Sequence, residues 1–294
     1  MLDFQQTISR PVRFSGVGLH SGKPVTCIIH PAPENHGIRF CRVDLPNKPV
    51  ISALFRNVVD TSLATVLGEN GVIVSTIEHL MAAFSGLCID NALVELSAYE
   101  VPIMDGSALP VTKLLMEAGT TAQSAARVYM AVSRPITHEQ DGRSVSVQPS
   151  DKYEISCTIE FPHPLLRSQT FCLLVDAENF SRDICGARTF GFLHEYEYLK
   201  RYGFAKGGNL DNAVVLNETG VVNEDGLRYP DEFVRHKILD CLGDFSLLGI
   251  PLLGKITTVK SGHAFNHALI TKILKEKDCW VTVTSETYRP PASD

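Results

Sequence analysis

Apolar and polar positions alternate in short runs through the first third of the chain, at residues 25–29, 72–74 and 92–96, with Gly, Pro and Asn turns between them. That spacing predicts strands with one covered face, because successive side chains of an extended backbone point to opposite sides. Over residues 75–87 the spacing turns helical, with Ile77, Leu80, Met81, Phe84 and Leu87 on one stripe. Residues 109–118 read as a second helix. The stretch GTTAQSAA, residues 119–126, is small and polar, and new strand patterns follow it at 128–132, 144–147 and 153–159. A boundary between two domains, 1–124 and 125–294, is placed there. The second half then repeats the first in outline: strands, a long helix over 231–247, a strand at 254–259 and a last helix from about 267 to 277. Setting HLMAAFSG over HKILDCLG aligns His79 with His236 and a Gly seven positions on in each, a weak repeat that leaves duplication open. The Tyr- and Gly-rich stretch between 193 and 222 has the character of an insertion into the second domain.

Composition narrows the class. At 294 residues the chain suits two domains of about 100–200 residues. Its 44% hydrophobic and 20% charged residues are those of a folded protein with real cores. The net charge of −6, with Lys and Arg scattered, lacks the basic footprint that nucleic acid demands. Eight cysteines lie far apart with no CxxC pair, which argues against a zinc ribbon or a dithiol motif and suits a reducing cytoplasm. No leader pattern opens the chain, and no run approaches the roughly 18 apolar residues of a membrane span. A cytoplasmic, soluble protein without stable membrane insertion, and a monomer, is expected.

The candidate chemistry begins in EFVRHKILDCLGDF, residues 232–245. At about 100° per residue, Val234, Ile238, Cys241, Leu242 and Phe245 form the apolar stripe, and His236, Asp240 and Asp244 share the opposite face. That face reads either as a solvated side or as a metal site, since neighbours one turn apart converge on one point. On the 75–87 helix the far face, Glu78, His79, Ala82 and Gly86, is small rather than charged, so it too should be covered. Glu78 fits a capping box with Ser75 as well as it fits catalysis. His79 reads equally as a buried histidine bonded to backbone and as a ligand. His263, in the SGH turn after a predicted strand, suits proton transfer or a plain loop position. GARTFGF, residues 186–192, by itself says only a tight turn with aromatic packing.

Taken together, GVGLHSG (16–22), STIEHLMAAFSGLCIDNA (75–92), PIMDGSA (102–108), ARTFGF (187–192), EDGLRYPDEFVRHKILDCLGD (224–244) and KSGHAFNHAL (260–269) are collinear over about residues 5–280. In these motifs the chain resembles the zinc-dependent UDP-3-O-acyl-N-acetylglucosamine deacetylase family, which commits Gram-negative bacteria to lipid A synthesis. The resemblance implies an α+β fold of two related domains, each a β-sheet layered with α-helices, with helices packed between the sheets and a small insertion in each domain. It implies one Zn2+ per chain, or Fe2+ in its place, held by His79, His236 and Asp240. Three protein ligands leave a position for water, as in catalytic sites. It further implies Glu78 as general base, His263 as general acid supported by Asp244, Thr189 as oxyanion donor, and Lys237 as a nearby positive charge. Phe161 matches the platform under the uracil ring, although Pro162 follows it where the family is more variable and polar. Phe190, Lys260, Gly207 and His20 fall on substrate-contacting or site-shaping positions, and the 193–222 insertion on the passage for the acyl chain. Two other readings stay open on the sequence: a silent nucleotide-sugar or lipid-binding protein, against which the presence of Glu78, His79, Thr189, His236, Asp240 and His263 together argues, and zinc-dependent hydrolysis of a related acylated nucleotide sugar.

Overall fold

Residues 1–289 are described by the computed structural model. The first half runs β1 (Phe4–Ile8), β2 (Val12–Val17), β3 (Pro24–Pro31), β4 (Ile38–Arg42), β5 (Val50–Ser52), β6 (Val58–Asp60), β7 (Val66–Glu69), β8 (Val72–Val74), α1 (Glu78–Gly86), β9 (Ala92–Leu96), α2 (Leu109–Ala118) and β10 (Thr120–Ala126). The second runs β11 (Tyr129–Val132), β12 (Ile136–Gln140), β13 (Arg143–Gln148), β14 (Tyr153–Ile159), β15 (Gln169–Leu174), α3 (Ala177–Asn179), β16 (Phe190–Phe192), α4 (Leu193–Arg201), β17 (Val214–Leu216), α5 (Glu232–Phe245), β18 (Leu252–Val259), α6 (His263–Lys275) and β19 (Trp280–Val283). The alternation that predicts strands appears as burial: Val25, Cys27 and Ile29 of β3 turn inward, as do Ala92, Val94 and Leu96 of β9. The fold is α+β in two domains, and among the described residues no helix is long and apolar enough to cross a membrane.

Strand pairing shows the internal repeat far more clearly than the sequence does. The first sheet has the order β2-β3-β9-β4-β5, antiparallel throughout except for the parallel β4–β9 pair. In the second, seven-stranded sheet the five strands β12-β13-β18-β14-β15 follow the same order, antiparallel among themselves except for the parallel β14–β18 pair, while β11 adds a second parallel pairing to β18 and β19 pairs antiparallel with β11. In each, one helix precedes the central strand (α1 before β9, α5 before β18) and another follows it (α2, α6). His79 and His236 therefore sit on equivalent helices. The elements between β5 and α1 (β6 to β8) and between β15 and α5 (α3 to β17) interrupt the repeat at the same point.

Three local expectations differ from the structure. The small polar stretch 119–126 forms β10, which pairs antiparallel with β1 and draws the N-terminus alongside it. The last helix starts at His263, a turn earlier than its apolar pattern suggests, with Gly262 as its extended cap. The second insertion begins near α3 rather than at residue 193. All three are places where the chain has little apolar periodicity to display. One buried apolar core runs through both domains and includes Phe40, Phe84, Phe180, Phe233 and Phe245.

Candidate metal centre

The apolar stripe of α5, including Val234, Ile238, Cys241, Leu242 and Phe245, is buried as the spacing predicts. Its opposite face is not solvated: His236, Asp240 and Asp244 are 1%, 4% and 3% exposed. The cover comes from α1, which packs against α5 so closely that a Cβ at Gly243 would overlap the backbone carbonyl of Glu78. A second close approach sets Gly86 of α1 under the ring of Phe180. Glycine at 243 lets the helix carrying Glu78 and His79 reach the helix carrying His236 and Asp240, and glycine at 86 seats α1 against the second-domain insertion.

At that crossing the nitrogens of His79 and His236 and a carboxylate oxygen of Asp240 all lie within 4.8 Å of one another. His79 Nε2 is 3.7 Å and His236 Nε2 3.3 Å from the same Asp240 Oδ1. Ligand atoms of a tetrahedral zinc with bonds of about 2.0–2.1 Å stand roughly 3.3 Å apart. The donor chemistry points the same way. His236 Nδ1 donates to the Ala187 carbonyl at 3.0 Å, which leaves Nε2 bare. Burial pushes the His236 pKa down to about 3, so the ring is neutral and its Nε2 lone pair faces a carboxylate oxygen. Two acceptors in that position repel unless a cation lies between them. Lys237 Nζ donates to the other oxygen, Asp240 Oδ2, at 2.7 Å and leaves Oδ1 to the cluster. Burial disfavours the Lys237 ammonium, but the Asp240 carboxylate outweighs it and keeps the amine charged. These three residues form a site that fits one metal ion.

A titratable pair flanks the cluster. Glu78 is the first residue of α1 and makes no capping box: the helix begins after Ile77 with no side-chain cap, and Ser75 is held in a β-bridge to Glu100. Instead Glu78 Oε2 accepts from the Thr65 N–H at 3.1 Å, while Oε1 lies 4.0 Å from His263 Nε2. Burial raises the Glu78 pKa, against the pull of His263 and His79. His263 Nδ1 donates to Asp244 Oδ2 at 2.8 Å. Burial alone would lower its pKa, but Asp244, with Asp240 and Glu78 behind it, raises it to about 10. Asp244 is held in turn by Thr65 Oγ1 at 2.7 Å and Asn266 Nδ2 at 2.8 Å. Sequence reasoning missed Thr65 and Asn266. Asn266 lies one turn beyond His263 on α6, a spacing that could have exposed it; Thr65, 179 positions from Asp244, carries no local signal.

The ARTF strand enters from the second-domain insertion. Arg188 is buried, and its N–H and guanidinium bond Glu232, the fully buried first residue of α5, through contacts of 3.0, 2.8 and 3.2 Å. This pair ties the segment leading into β16 to α5 and fixes the Ala187 carbonyl on His236; two residues on, Thr189 is held through its backbone, its N–H bonded to Gly106 O and its carbonyl to Val214 N–H, each at 2.8 Å. Replacing Glu232 with alanine removes the buried carboxylate from Arg188 and leaves its guanidinium only Asp225, at 3.0 Å, and the Gly226 carbonyl, at 2.6 Å, so denaturant unfolding should register a loss of up to about 3 kcal/mol. A loss below about 1 kcal/mol, the size expected of an exposed pair, would mean that the pair does not hold the strand.

The remaining candidates are more scattered. Phe190 packs edge-on to Phe233 and His236, with ring centroids 5.0 and 6.3 Å away, and Lys237 Nζ lies 5.5 Å above its ring. Phe161 meets the edge of Phe190 at 5.9 Å, so it extends this aromatic wall away from the cluster. Lys260 is ion-paired with Glu160 on the surface next to Phe161. Gly207 bonds Leu19 O through its N–H at 3.0 Å and packs where a Cβ would strike the Gly18 carbonyl, which joins the insertion to the first domain. His20 has both ring nitrogens buried without a partner, and its ring meets Phe204 at 6.1 Å. Among the described residues no hydrogen bond or ion pair links His20, Gly207 or Lys260 to the His–His–Asp cluster.

Comparison with known proteins converges on one family. The profile described as UDP-3-O-acyl N-acetylglycosamine deacetylase matches residues 5–275. The chain is 49% identical over 279 residues to a protein of Myxococcus xanthus named UDP-3-O-acyl-N-acetylglucosamine deacetylase, covering 95% of this chain and 89% of that one. A protein of the same name from Syntrophotalea carbinolica is 49% identical over 282 residues, 96% of this chain and 91% of that one. Another from Saccharophagus degradans is 47% identical over 284 residues, 96% and 94% of the two chains.

Proposed function

The chain belongs to the UDP-3-O-acyl N-acetylglycosamine deacetylase family, and we propose that it hydrolyses the N-acetyl group of UDP-3-O-acyl-N-acetylglucosamine at the His79–His236–Asp240 centre, releasing acetate and the free amine. This is the committed step of lipid A synthesis. The observation that carries the reading is the placing of a buried carboxylate and a carboxylate-held imidazole, Glu78 and His263, on either side of a gap beside three converging ligand atoms. His79, His236 and Asp240 would hold one Zn2+, which would supply Lewis acidity towards water and a carbonyl oxygen.

The chain's own groups account for the proton movements. Glu78 Oε1, the oxygen left free by Thr65, takes the proton of the attacking water; burial raises its pKa and so strengthens it as a base. The amide carbonyl oxygen gains charge as its carbon becomes tetrahedral, and the Thr189 hydroxyl donates to it. Lys237 adds a fixed positive charge on the same side, oriented by Asp240. An amide nitrogen leaves poorly as an anion, so His263 protonates it from Nε2 while Nδ1 stays bonded to Asp244. Phe161 and Phe190 offer apolar faces to the uridine end, with Lys260, Gly207 and His20 around the substrate. Support for an acyl passage in the second insertion comes from its exposed apolar side chains, among them Leu193, Tyr198, Tyr202, Phe204 and Leu210.

Acetate release from the acylated nucleotide sugar, run beside UDP-N-acetylglucosamine, tests the substrate. Each buried CH2 contributes about 0.8 kcal/mol, so removal of the acyl chain is expected to lower kcat/KM by at least about a hundredfold. Equal values for the two substrates would show that the passage takes no part.

A further inference from the structure

Thr65 lies outside every motif, yet three of its polar atoms are engaged at the junction of the two domains. It precedes β7 in the first-domain insertion and is 2% exposed. Its N–H donates to Glu78 Oε2 at 3.1 Å, its hydroxyl donates to Asp244 Oδ1 at 2.7 Å, and its carbonyl accepts from the Ile77 N–H at 3.4 Å. A carboxylate can only accept, so the direction of the hydroxyl bond is fixed. The hydroxyl oxygen is also 3.4 Å from His263 Nδ1, which donates to Asp244 Oδ2. One residue thus bonds the carboxylate beside the ligand His79 and the carboxylate that holds His263.

Each carboxylate has two oxygens, and its terminal torsion is soft. The Thr65 N–H engages Oε2 of Glu78, which turns Oε1 towards His263 Nε2, 4.0 Å away. The Thr65 hydroxyl engages Oδ1 of Asp244, which leaves Oδ2 to His263. We propose that Thr65 is a positioning residue that locks the Glu78 and Asp244 carboxylates in register across the domain junction, so that base and acid face one bound amide at a fixed separation. The inference rests on the deacetylase reading above. Because the N–H, hydroxyl and carbonyl of Thr65 are engaged by Glu78, Asp244 and Ile77, its loss is expected to act on turnover and not on binding.

The test compares Thr65→Ser, which keeps the hydroxyl, with Thr65→Ala, which removes it, and Thr65→Val, which replaces it with a methyl of similar shape. Misplacing reacting groups by a fraction of an ångström to 1 Å costs up to about a hundredfold, so kcat should fall roughly 10- to 100-fold in the Ala and Val variants, with KM within about threefold and metal content unchanged. The Ser variant should stay within about threefold of the parent. A parent-like kcat in Ala and Val, or a Ser variant as impaired as Ala, overturns the proposal. If Val fails to fold, the Ser and Ala pair carries the comparison. A second readout needs no substrate: in the metal-loaded protein the proton resonance of His263 Nδ1–H should shift in Ala and stay in place in Ser, and a resonance unmoved in Ala also overturns the lock. Absence of acetate release by the parent protein would instead count against the deacetylase reading, and the resonance would still test the lock.

Discussion

Glu78→Gln is expected to keep the metal in place and to lower acetate release by about a hundred- to ten-thousandfold, the usual worth of a positioned general base. Glutamine is nearly the same size, and its carbonyl oxygen can still accept from the Thr65 N–H at the position of Oε2, so the loss is chemical and not structural. What disappears is the lone pair that takes a proton. The pH profile offers a separate check. On the proposed roles, the parent rate is expected to rise as Glu78 deprotonates and to fall as pH climbs through the His263 pKa, which Asp244 lifts to about 10 against burial. The variant should lose the rising limb and keep the falling one. The same raised imidazole pKa adds folding stability that is fully present below about pH 6.5 and is lost as pH rises through about 10. A Glu78→Gln variant with near-parent turnover would remove Glu78 from the proton transfer altogether.

The sequence makes the helices and strands of this fold legible wherever a stripe or an alternation is unbroken. The α1 stripe of Leu80, Met81 and Phe84, the α5 stripe of Val234, Ile238 and Leu242, and the alternating β3 are all buried as their spacing predicts. The face shared by His236, Asp240 and Asp244 was equally legible, but not what it looks at, because the cover is another helix brought near by the fold. The Ser75–Glu78 spacing satisfies the capping rule as well as it fits catalysis, and the structure makes no box because α1 begins at Glu78, after Ile77, so Glu78 is its first and not its third residue. The strand at Thr120–Ala126 was hidden because its small polar residues carry no alternation, and the early start of α6 because Ser261 and Gly262 look like loop. Thr65 was beyond reach for a simpler reason. Its partners are contributed by α1, α5 and α6, and nothing local in TSLATVL records them.

Removal of a ligand should be the more drastic change. Loss of an outer-shell partner such as the Ala187 carbonyl typically weakens a metal by roughly 10–100-fold. Loss of one of three protein ligands should weaken it well beyond that and take the activity with it. Asp240→Ala has the largest expected effect, because Asp240 is the single anionic ligand of the proposed centre and also anchors Lys237 at 2.7 Å. Its removal leaves two neutral imidazoles, one of them held neutral by burial, to bind a dication in a poorly solvated site. Metal analysis of the purified variant should find far less than one ion per chain, with acetate release at background. A variant that retained a full complement of zinc would move the centre elsewhere.

The most direct measurement strips the protein with a chelator and follows acetate release from UDP-3-O-acyl-N-acetylglucosamine as zinc is returned in small steps. The account predicts no release from the stripped chain, then a rise that levels off at one zinc per chain. Activity that survives stripping with no metal detected, or a chain that releases no acetate however much zinc is returned, would contradict it.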